Sequence, residues 1–280
     1  MNQYENLDLD LNSEKVQKNN YPEFKLPEYN IETKLKNDIY NSFYKVTENI
    51  QKITMNNKEK STNVIILAVS KKQTIDKIIC AYAFGHRDFG ENYVDELYEK
   101  STNELILSYC PNIRWHFVGH LQSNKVNKLL NCKNLKMIQS IHNHAIALKI
   151  NSRIQYLKDS SNNDCFEKKI NVLIQVNTSH ETFKSGCIES DVFDIIKYIQ
   201  SDCGNLEFSG LMTIGIKKNS ENNDFATLAN LRKDIYHQMG DIGVLLSMGM
   251  SNDYENAIKH GSDIVRLGTI LFGSRIYNKL

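Results

Sequence analysis

The stretch that decides the fold is VIILAVSKK, Val64–Lys72. Its first six residues are apolar and mostly β-branched, and the run is too short for a typical helix. Such a run predicts a strand buried on both faces, as in parallel sheets. It ends in Ser70, Lys71 and Lys72, at the end of the strand where α/β proteins carry their chemistry. A lysine amine near apolar groups can attack a carbonyl to form a Schiff base; a solvated lysine that closes a strand is the alternative.

From this stretch onward, apolar runs alternate with helical patterns. The runs predict eight strands, over residues 64–69, 88–89 with their flanks, 114–118, 137–141, 170–176, 206–214, 244–248 and 264–267. The patterns between them predict helices over residues 74–84, 93–101, 124–130, 144–157, 190–200, 224–239 and 253–260, with a closing helix over 269–277. Eight such alternations are typical of a closed (β/α)8 TIM barrel. An open doubly wound sheet is the competing architecture, but the first turn lacks the Gly-rich sequence with which such a sheet binds a dinucleotide.

The N-terminal part of the chain precedes this alternation. An amphipathic helix is predicted over residues 31–53, and residues 31–280 are expected to form one barrel domain that includes it. Residues 1–30 are rich in Asn, Asp, Glu and Lys, which predicts a mobile extension. This extension is acidic and has no apolar core, which argues against a signal or transit peptide. No apolar run approaches the roughly 20 residues that span a bilayer.

Composition narrows the classes of partner. Lys and Arg number 34 and Asp and Glu 33, for a net charge of +1, so bulk charge gives no support to nucleic-acid or membrane binding. The six cysteines are scattered, with no Cys-x-x-Cys pair and no histidine at metal-ligand spacing. They are expected to be reduced thiols of a cytoplasmic protein without a metal site.

Two loops near the end of the chain have the composition of a phosphate site. They contain Ser247, Gly249 and Ser251 after the seventh strand, and Gly268 and Thr269 after the eighth. Glycine lets the backbone approach a phosphate, hydroxyl groups add hydrogen bonds, and barrels often bind phosphate at these two loops. Helix capping and tight turns are the alternative.

Arg266 stands in an otherwise apolar strand, and a buried guanidinium requires acceptors. An anionic or acceptor ligand near the barrel mouth would supply them, and a structural ion pair is the alternative. A Schiff-base lysine and a phosphate site across the mouth describe a ligand that is both an aldehyde and a phosphate. Pyridoxal 5′-phosphate (PLP) fits that description.

A series of motifs then carries a family resemblance. In chain order they are Ala68–Lys71, Phe89–Tyr93, Trp115–Gln122, Lys184–Gly186, Gly210–Met212, Ser247–Ser251 and Arg266–Thr269. Together they resemble the pyridoxal phosphate homeostasis protein family, over about residues 63–277. Each motif alone is weak, whereas the ordered series is specific.

The resemblance implies an alanine-racemase-like barrel that binds PLP as an internal aldimine. It implies these cofactor-binding residues: Lys71 for the aldimine, Asn92 and His116 near the ring, Ser247, Ser251, Gly268 and Thr269 at the phosphate, and Arg266 facing the pyridine nitrogen. An arginine there keeps the nitrogen unprotonated and makes the ring a poorer electron sink. Lys72 is expected to point away from Lys71 on an extended strand.

The function implied is that of a monomeric protein that holds PLP and delivers it to apo-enzymes, without established turnover. An amino-acid racemase that uses the same lysine is the alternative, and a Schiff-base aldolase acting on a phosphorylated sugar is a third possibility. Racemases of this fold carry a second catalytic base on a β-domain after the barrel and complete their sites across a dimer. Because this chain ends shortly after the eighth strand, we expect that domain to be absent.

Overall fold

The computed structural model describes residues 29, 31–55, 63–160, 169–179, 181, 185–215 and 224–274. Within these ranges, eight parallel strands close into a barrel in the order β1 to β8. The predicted (β/α)8 TIM barrel is therefore confirmed, and the predicted helix precedes it. The predicted mobile extension, residues 1–30, lies outside the described residues except for Tyr29.

The strands form a continuous ring. They are β1 Ile65–Val69, β2 Asp88–Glu91, β3 Arg114–Phe117, β4 Leu135–Ile141, β5 Ile170–Gln175, β6 Leu206–Met212, β7 Leu245–Met250 and β8 Ile264–Leu267. The ring closes where β8 pairs with β1, from Ile65 opposite Ile264 to Ala68 opposite Leu267. The loop after β8 therefore lies beside the end of β1. The sequence-based expectation of a phosphate site across the mouth from the lysine is wrong in this respect, because β1 and β8 are neighbours in a closed barrel.

The helices surround the ring. They are α1 Thr33–Met55, α2 Ile75–Ala83, α3 Val94–Ser101, α4 Glu104–Tyr109, α5 Val126–Leu130, α6 His144–Ser160, α7 Val192–Asp202, α8 Asp224–Met239, α9 Tyr254–Lys259 and α10 Thr269–Phe272. Short 3-10 turns at Ser123–Lys125 and Glu189–Asp191 lead into α5 and α7. The predicted closing helix, 269–277, ends at Phe272, after which Gly273 has a φ of +75°. Residues 275–280 lie outside the described part of the chain.

Helix α1 covers the seam where β1 meets β8. Its buried residues, Ile39, Phe43, Val46 and Ile50, recur at three- and four-residue steps and form one apolar face. This face packs against α2, α9 and α10. The Phe43 ring contacts Phe272 of α10 edge-on, with a centroid distance of 5.9 Å. The N-terminal helix thus joins the beginning and the end of the barrel.

The inside of the ring contains both apolar and polar side chains. An apolar cluster there comprises Leu67, Val118, Met137, Leu173, Met212 and Ile264. Beside it, the Ser247 hydroxyl of β7 donates a hydrogen bond to Gln139 Oε1 of β4, at 2.7 Å. Because β4 and β7 are not neighbours in the ring, this bond crosses the barrel interior. Polar groups of β4 and β7 therefore meet inside the barrel.

Three other features of the described residues bear on function. None of their helices is both long enough and apolar enough to cross a membrane. Their cysteines, Cys80, Cys110, Cys132, Cys187 and Cys203, are buried free thiols. In the same part of the chain, no group of three or more His, Cys, Asp and Glu side chains is arranged to hold a metal ion.

Candidate cofactor site

Lys71 lies in a tight turn directly after β1. The turn, Ser70–Gln73, is closed by a hydrogen bond from the Gln73 N–H to the Ser70 carbonyl at 3.0 Å, and we call it the lysine turn. Lys71 is half-buried, whereas Lys72 is exposed and has a φ of +57°, in the left-handed region. The expectation that the two lysines alternate on an extended strand is wrong, because the strand ends at Val69. The turn itself gives the two lysines different environments.

Three charged side chains hold the lysine turn, and we call them the charged cluster: Glu91, Glu96 and Lys100. The Lys100 ammonium donates to the Ser70 carbonyl, to Glu91 Oε1 and to Glu96 Oε1, each at 2.7 Å. The Ser70 hydroxyl donates to Glu91 Oε1 at 2.6 Å, and the Lys72 N–H donates to Glu96 Oε1 at 2.5 Å. Burial raises the pKa of Glu91 to about 7, against the opposing effect of the Lys100 charge.

The loops after β7 and β8 meet beside the lysine turn. The Gly268 N–H donates to Ser251 Oγ at 3.4 Å. A Cβ added to Gly268 would lie 3.2 Å from the Val69 carbonyl, so the loop approaches the end of β1 closely. Helix α10 begins at the exposed Thr269, and helix geometry leaves the N–H groups of its first turn without intrahelical acceptors. Ser251, Gly268 and Thr269 thus lie together, and backbone N–H groups of this kind suit an anion.

Ser247 and Arg266 point into the barrel. Arg266 Nη1 donates to the Ser247 carbonyl at 2.6 Å and to Ser247 Oγ at 3.0 Å. Its Nη2 donates to the Thr213 carbonyl at 2.7 Å. Burial lowers the pKa of Arg266 to about 10, although Asp253 opposes this effect. The hydrogen-bonding partners of Arg266 are therefore two backbone carbonyls and one hydroxyl. Among the described residues, none of its hydrogen-bonding partners is a carboxylate.

Ser247 also begins a chain of hydrogen bonds through the barrel. Ser247 donates to Gln139, whose Nε2 donates to His116 Nδ1 at 3.2 Å. His116 Nε2 in turn donates to Asp88 Oδ1 at 3.0 Å. Arg114 binds the same carboxylate through Nε at 2.8 Å and Nη2 at 2.5 Å. We call this the interior chain, formed by Arg266, Ser247, Gln139, His116, Asp88 and Arg114.

The interior chain connects the two ends of the barrel. Asp88 and Arg114 are the first residues of β2 and β3, at the floor, whereas Arg266 lies near the mouth. Burial alone would raise the pKa of Asp88, but the hydrogen bonds from His116 and Arg114 outweigh it and hold that pKa below its usual range. His116, which the resemblance puts near the ring, has both ring nitrogens occupied by Gln139 and Asp88.

A pocket of about 260 Å³ opens at the mouth, above β2, β3, β5 and β6. It is lined by Asn92, Val118, Gly119, His120, Gln175, Val176, Asn177, Ser179, Ser185, Thr213, Ile214 and Gly215. Of the predicted site residues, only Asn92 belongs to this lining. The Asn92 Oδ1 atom is buried and has no hydrogen-bond partner among the described residues. A Cβ on Gly119 would lie 1.9 Å from the Asn92 carbonyl, so this wall of the pocket requires glycine.

Several of these residues escaped the sequence-based prediction. Gln139 had a usable signal, because it is a polar residue inside the apolar strand β4. Asp88 and Arg114 begin neighbouring strands, which is a weaker signal. Glu91 follows the predicted second strand, residues 88–89, and nothing in the sequence marks it as the buried last residue of β2. Lys100 shows only a four-residue spacing from Glu96, which is typical of an exposed helix pair.

Comparisons with known proteins agree with the barrel fold. The family model described as "Alanine racemase, N-terminal domain" matches residues 44–276. The pyridoxal phosphate homeostasis protein of Mus musculus is 42% identical over 220 residues, which cover 76% of this chain and 78% of the mouse protein. An unknown protein from Bifidobacterium adolescentis has a crystal structure with a TM-score of 0.76 and 30% identity, covering 87% of this chain and 98% of that chain.

PipY of Synechococcus elongatus was solved with PLP bound. Its structure matches with a TM-score of 0.63 and 27% identity, and the match covers 80% of this chain and 100% of that chain. The family model spans most of the chain, and the mouse relative is matched over more than two thirds of its length. The chain belongs to the pyridoxal phosphate homeostasis protein family, which is built on the alanine racemase N-terminal domain.

Proposed function

We propose that this protein binds PLP as a Schiff base on Lys71 and serves in the homeostasis of this cofactor. One observation carries the proposal: the ring closure puts the loop after β8 directly beside the lysine turn. Gly268 approaches the Val69 carbonyl so closely that an added Cβ would lie 3.2 Å from it. PLP carries its aldehyde and its phosphate arm on adjacent ring carbons, so two elements that lie side by side can hold both groups.

The remaining residues at the mouth also fit PLP. The buried Asn92 Oδ1 has no hydrogen-bond partner among the described residues, so a ligand can supply one. The bonds of Arg266 to Ser247 and Thr213 engage three of its N–H groups, and a guanidinium has five. The other two have no acceptor among the described residues, and an unprotonated ring nitrogen is an acceptor. Lys71 would supply the amine, and Ser251, Gly268 and Thr269 would hold the phosphate.

PLP and the protein would contribute different parts of the binding chemistry. When bound, PLP would supply an aldehyde group, and the Lys71 amine would condense with it and release water. The chain supplies a fixed cation, because the carbonyls of Ser247 and Thr213 orient Arg266. A positive charge beside the ring nitrogen disfavours its protonation, which weakens the ring as an electron sink. This property disfavours reactions that depend on a strong electron sink.

We therefore propose a carrier without catalytic turnover, which acts as a monomer in the cytoplasm and delivers PLP to apo-enzymes. The naming of relatives as homeostasis proteins supports the first part of this proposal. A direct test adds the PLP-loaded protein to an apo-enzyme that requires PLP and follows the recovery of activity. Recovery no faster than with an equal concentration of free PLP would contradict delivery.

Binding is tested by absorption and by mapping. The purified protein with PLP should absorb visible light, and Lys71→Ala should abolish this absorption because the amine is missing. Lys72→Ala is the matched control, because it removes the neighbouring lysine of the same turn and should leave the absorption unchanged. Borohydride reduction followed by peptide mapping should place the adduct on Lys71. An adduct on a different lysine, or no bound PLP, would contradict the proposal.

Turnover is tested separately. The protein is incubated with L-alanine and other L-amino acids, and the chirality of the amino acid is followed. A rate near those of ordinary enzymes, about 1 per second or more, would contradict the assignment as a carrier and favour the racemase alternative.

A further inference from the structure

The lysine turn is fixed by side chains outside the predicted cofactor-binding set. Lys100 binds the Ser70 carbonyl at 2.7 Å, and Glu91 binds the Ser70 hydroxyl at 2.6 Å. On the other side of Lys71, the Lys72 N–H is held by Glu96 at 2.5 Å. The charged cluster therefore contacts the residue before Lys71 and the residue after it.

The members of the cluster are buried to different degrees. Their side chains are 8% exposed for Lys100, 0% for Glu91 and 22% for Glu96. Burying charges is unfavourable unless each is paired and hydrogen-bonded, and Lys100 meets this condition with two carboxylates and a carbonyl. One bond of the Lys100 ammonium and one of the Glu96 carboxylate go to the backbone of the turn. The cluster thus connects α3 and β2 rigidly to this turn.

The turn carries two lysines with the same intrinsic reactivity. Lys71 is half-buried, whereas Lys72 is exposed and its backbone is in the left-handed region, which is unfavourable for a residue with a Cβ. Such a conformation persists only where its surroundings impose it, and Glu96 binds the N–H of this same residue. Without that contact, the turn can relax to another backbone conformation, which would change the relative positions of the Lys71 and Lys72 amines.

We propose that Glu91, Glu96 and Lys100 are positioning residues that select Lys71 over Lys72 as the lysine that binds the aldehyde. The inference rests on the proposed function, because it concerns which amine forms the Schiff base. It adds residues that act through Ser70 and the backbone N–H of Lys72, on either side of Lys71. None of them belongs to the loops that hold the phosphate.

The test measures the distribution of the adduct between the two lysines. Each protein is mixed with an equimolar amount of PLP and reduced with borohydride, which converts the C=N bond into a stable secondary amine. Peptide mapping then gives the ratio of adduct on Lys71 to adduct on Lys72. We expect Glu96→Ala to shift this ratio toward Lys72 by roughly tenfold, the effect of one hydrogen bond to a charged group.

Conservative and control variants separate positioning from a general loss of structure. Glu96→Gln keeps an acceptor oxygen for the Lys72 N–H and should restore most of the wild-type ratio. Lys128→Met removes a lysine from an exposed pair with Asp95, whose atoms lie 2.6 Å apart, and should leave the ratio unchanged. Circular dichroism establishes that each variant is folded.

The buried lysine needs a second variant. Lys100→Met leaves the Glu91 carboxyl without its cation and can prevent folding, so the double variant Glu91→Gln/Lys100→Met removes both charges together. We expect this double variant to fold and to shift the ratio toward Lys72 as well. Folded Glu96→Ala and double variants with the wild-type ratio would overturn the inference and leave the proposed function intact. A wild-type protein without an adduct on Lys71 would overturn the proposed function, and the inference with it.

Discussion

The buried carboxyl group of Glu91 should make the protein less stable as the pH rises. Burial raises the pKa of Glu91 to about 7 from an ordinary value of 4.5. Below the ordinary value, the folded and unfolded chains both hold the proton, so this contribution to stability is fully present. Between the two pKa values only the folded chain keeps the proton, and the unfolding free energy falls by about 1.4 kcal/mol for each pH unit. The whole window corresponds to about 3 kcal/mol, a large part of the stability of a typical domain.

His86 has the opposite effect in an overlapping range. Its ring lies between Phe43 and Phe89, and burial lowers the pKa of His86 to about 4 from an ordinary value of 6.5. Between these values, the unfolded chain takes up a proton that the folded chain does not, so the unfolding free energy rises with pH. The two contributions largely cancel in the wild-type protein. A variant at Glu91 is needed to separate them.

Glu91→Gln removes the titration and keeps an acceptor oxygen for Ser70 and Lys100. Urea unfolding of both proteins, without added PLP, can be followed by the fluorescence of Trp115, which is fully buried and is the single tryptophan of the chain. We expect the unfolding free energy of the variant, relative to the wild type, to increase by about 2 to 3 kcal/mol from about pH 5 to about pH 8. Two curves that remain parallel over this range would refute the assignment of a raised pKa to Glu91.

Three further predictions follow from contacts at other positions. Gly210 has a φ of +148°, and the Cβ of Gly210→Ala would lie 2.0 Å from a backbone carbonyl of β7. This variant should lose about 3 kcal/mol or more of unfolding free energy, measured by urea unfolding. The control Gly204→Ala adds a Cβ with no atom within 4 Å, so its unfolding free energy should stay within about 0.5 kcal/mol of the wild-type value. Asp88→Ala leaves the partly buried Arg114 without its carboxylate and should lower the unfolding free energy by about 3 kcal/mol, measured by thermal unfolding. A decrease below about 0.5 kcal/mol would contradict a structural role of this pair. Arg266→Met should leave the borohydride adduct in place and weaken PLP binding about tenfold, whereas unchanged affinity in an absorption titration would argue against its contact with the ring.

The barrel could be predicted from the sequence because its buried strands are short apolar runs with helical patterns between them. Helix α4 could not, because Leu105 and Leu107 are exposed while Ile106 is buried, so its apolar residues do not form a stripe. What identifies this helix is its cap, since the Asn103 side chain accepts from the N–H groups of Leu105 and Ile106. Caps of this kind depend on a contact that a hydrophobic pattern does not record.

The candidate site was predictable in its loops and less so in its interior. Ser251, Gly268 and Thr269 have residue types that suit a phosphate loop, and the structure brings them together. His116 belongs to a strand buried on both faces, so alternation cannot tell whether its ring points to the helices or into the barrel. Its contacts with Gln139 and Asp88 depend on β2 and β4 as well as on β3, and no local pattern contains them.

The charged cluster was likewise not predictable from a local sequence pattern. The spacing of Glu96 and Lys100 is common on exposed helix faces, where such a pair contributes little to stability. Here Lys100 is buried because α3 packs over the end of β2, where Glu91 projects. Only the tertiary arrangement turns an ordinary surface pattern into a support for the lysine turn.

The position of α1 over the closing seam has a consequence for the order in which the chain folds during synthesis. This helix is made before the barrel, whereas two of its partners, α9 and α10, are made at the end. Strand β1 likewise waits for β8 before its second edge is paired. A nascent chain that stalls before β8 therefore exposes the unpaired edge of β1 and the part of the apolar face of α1 that packs against α10, and both promote aggregation. The last strand to leave the ribosome covers the strand edge, and α10, which follows it, covers the remaining part of the α1 face.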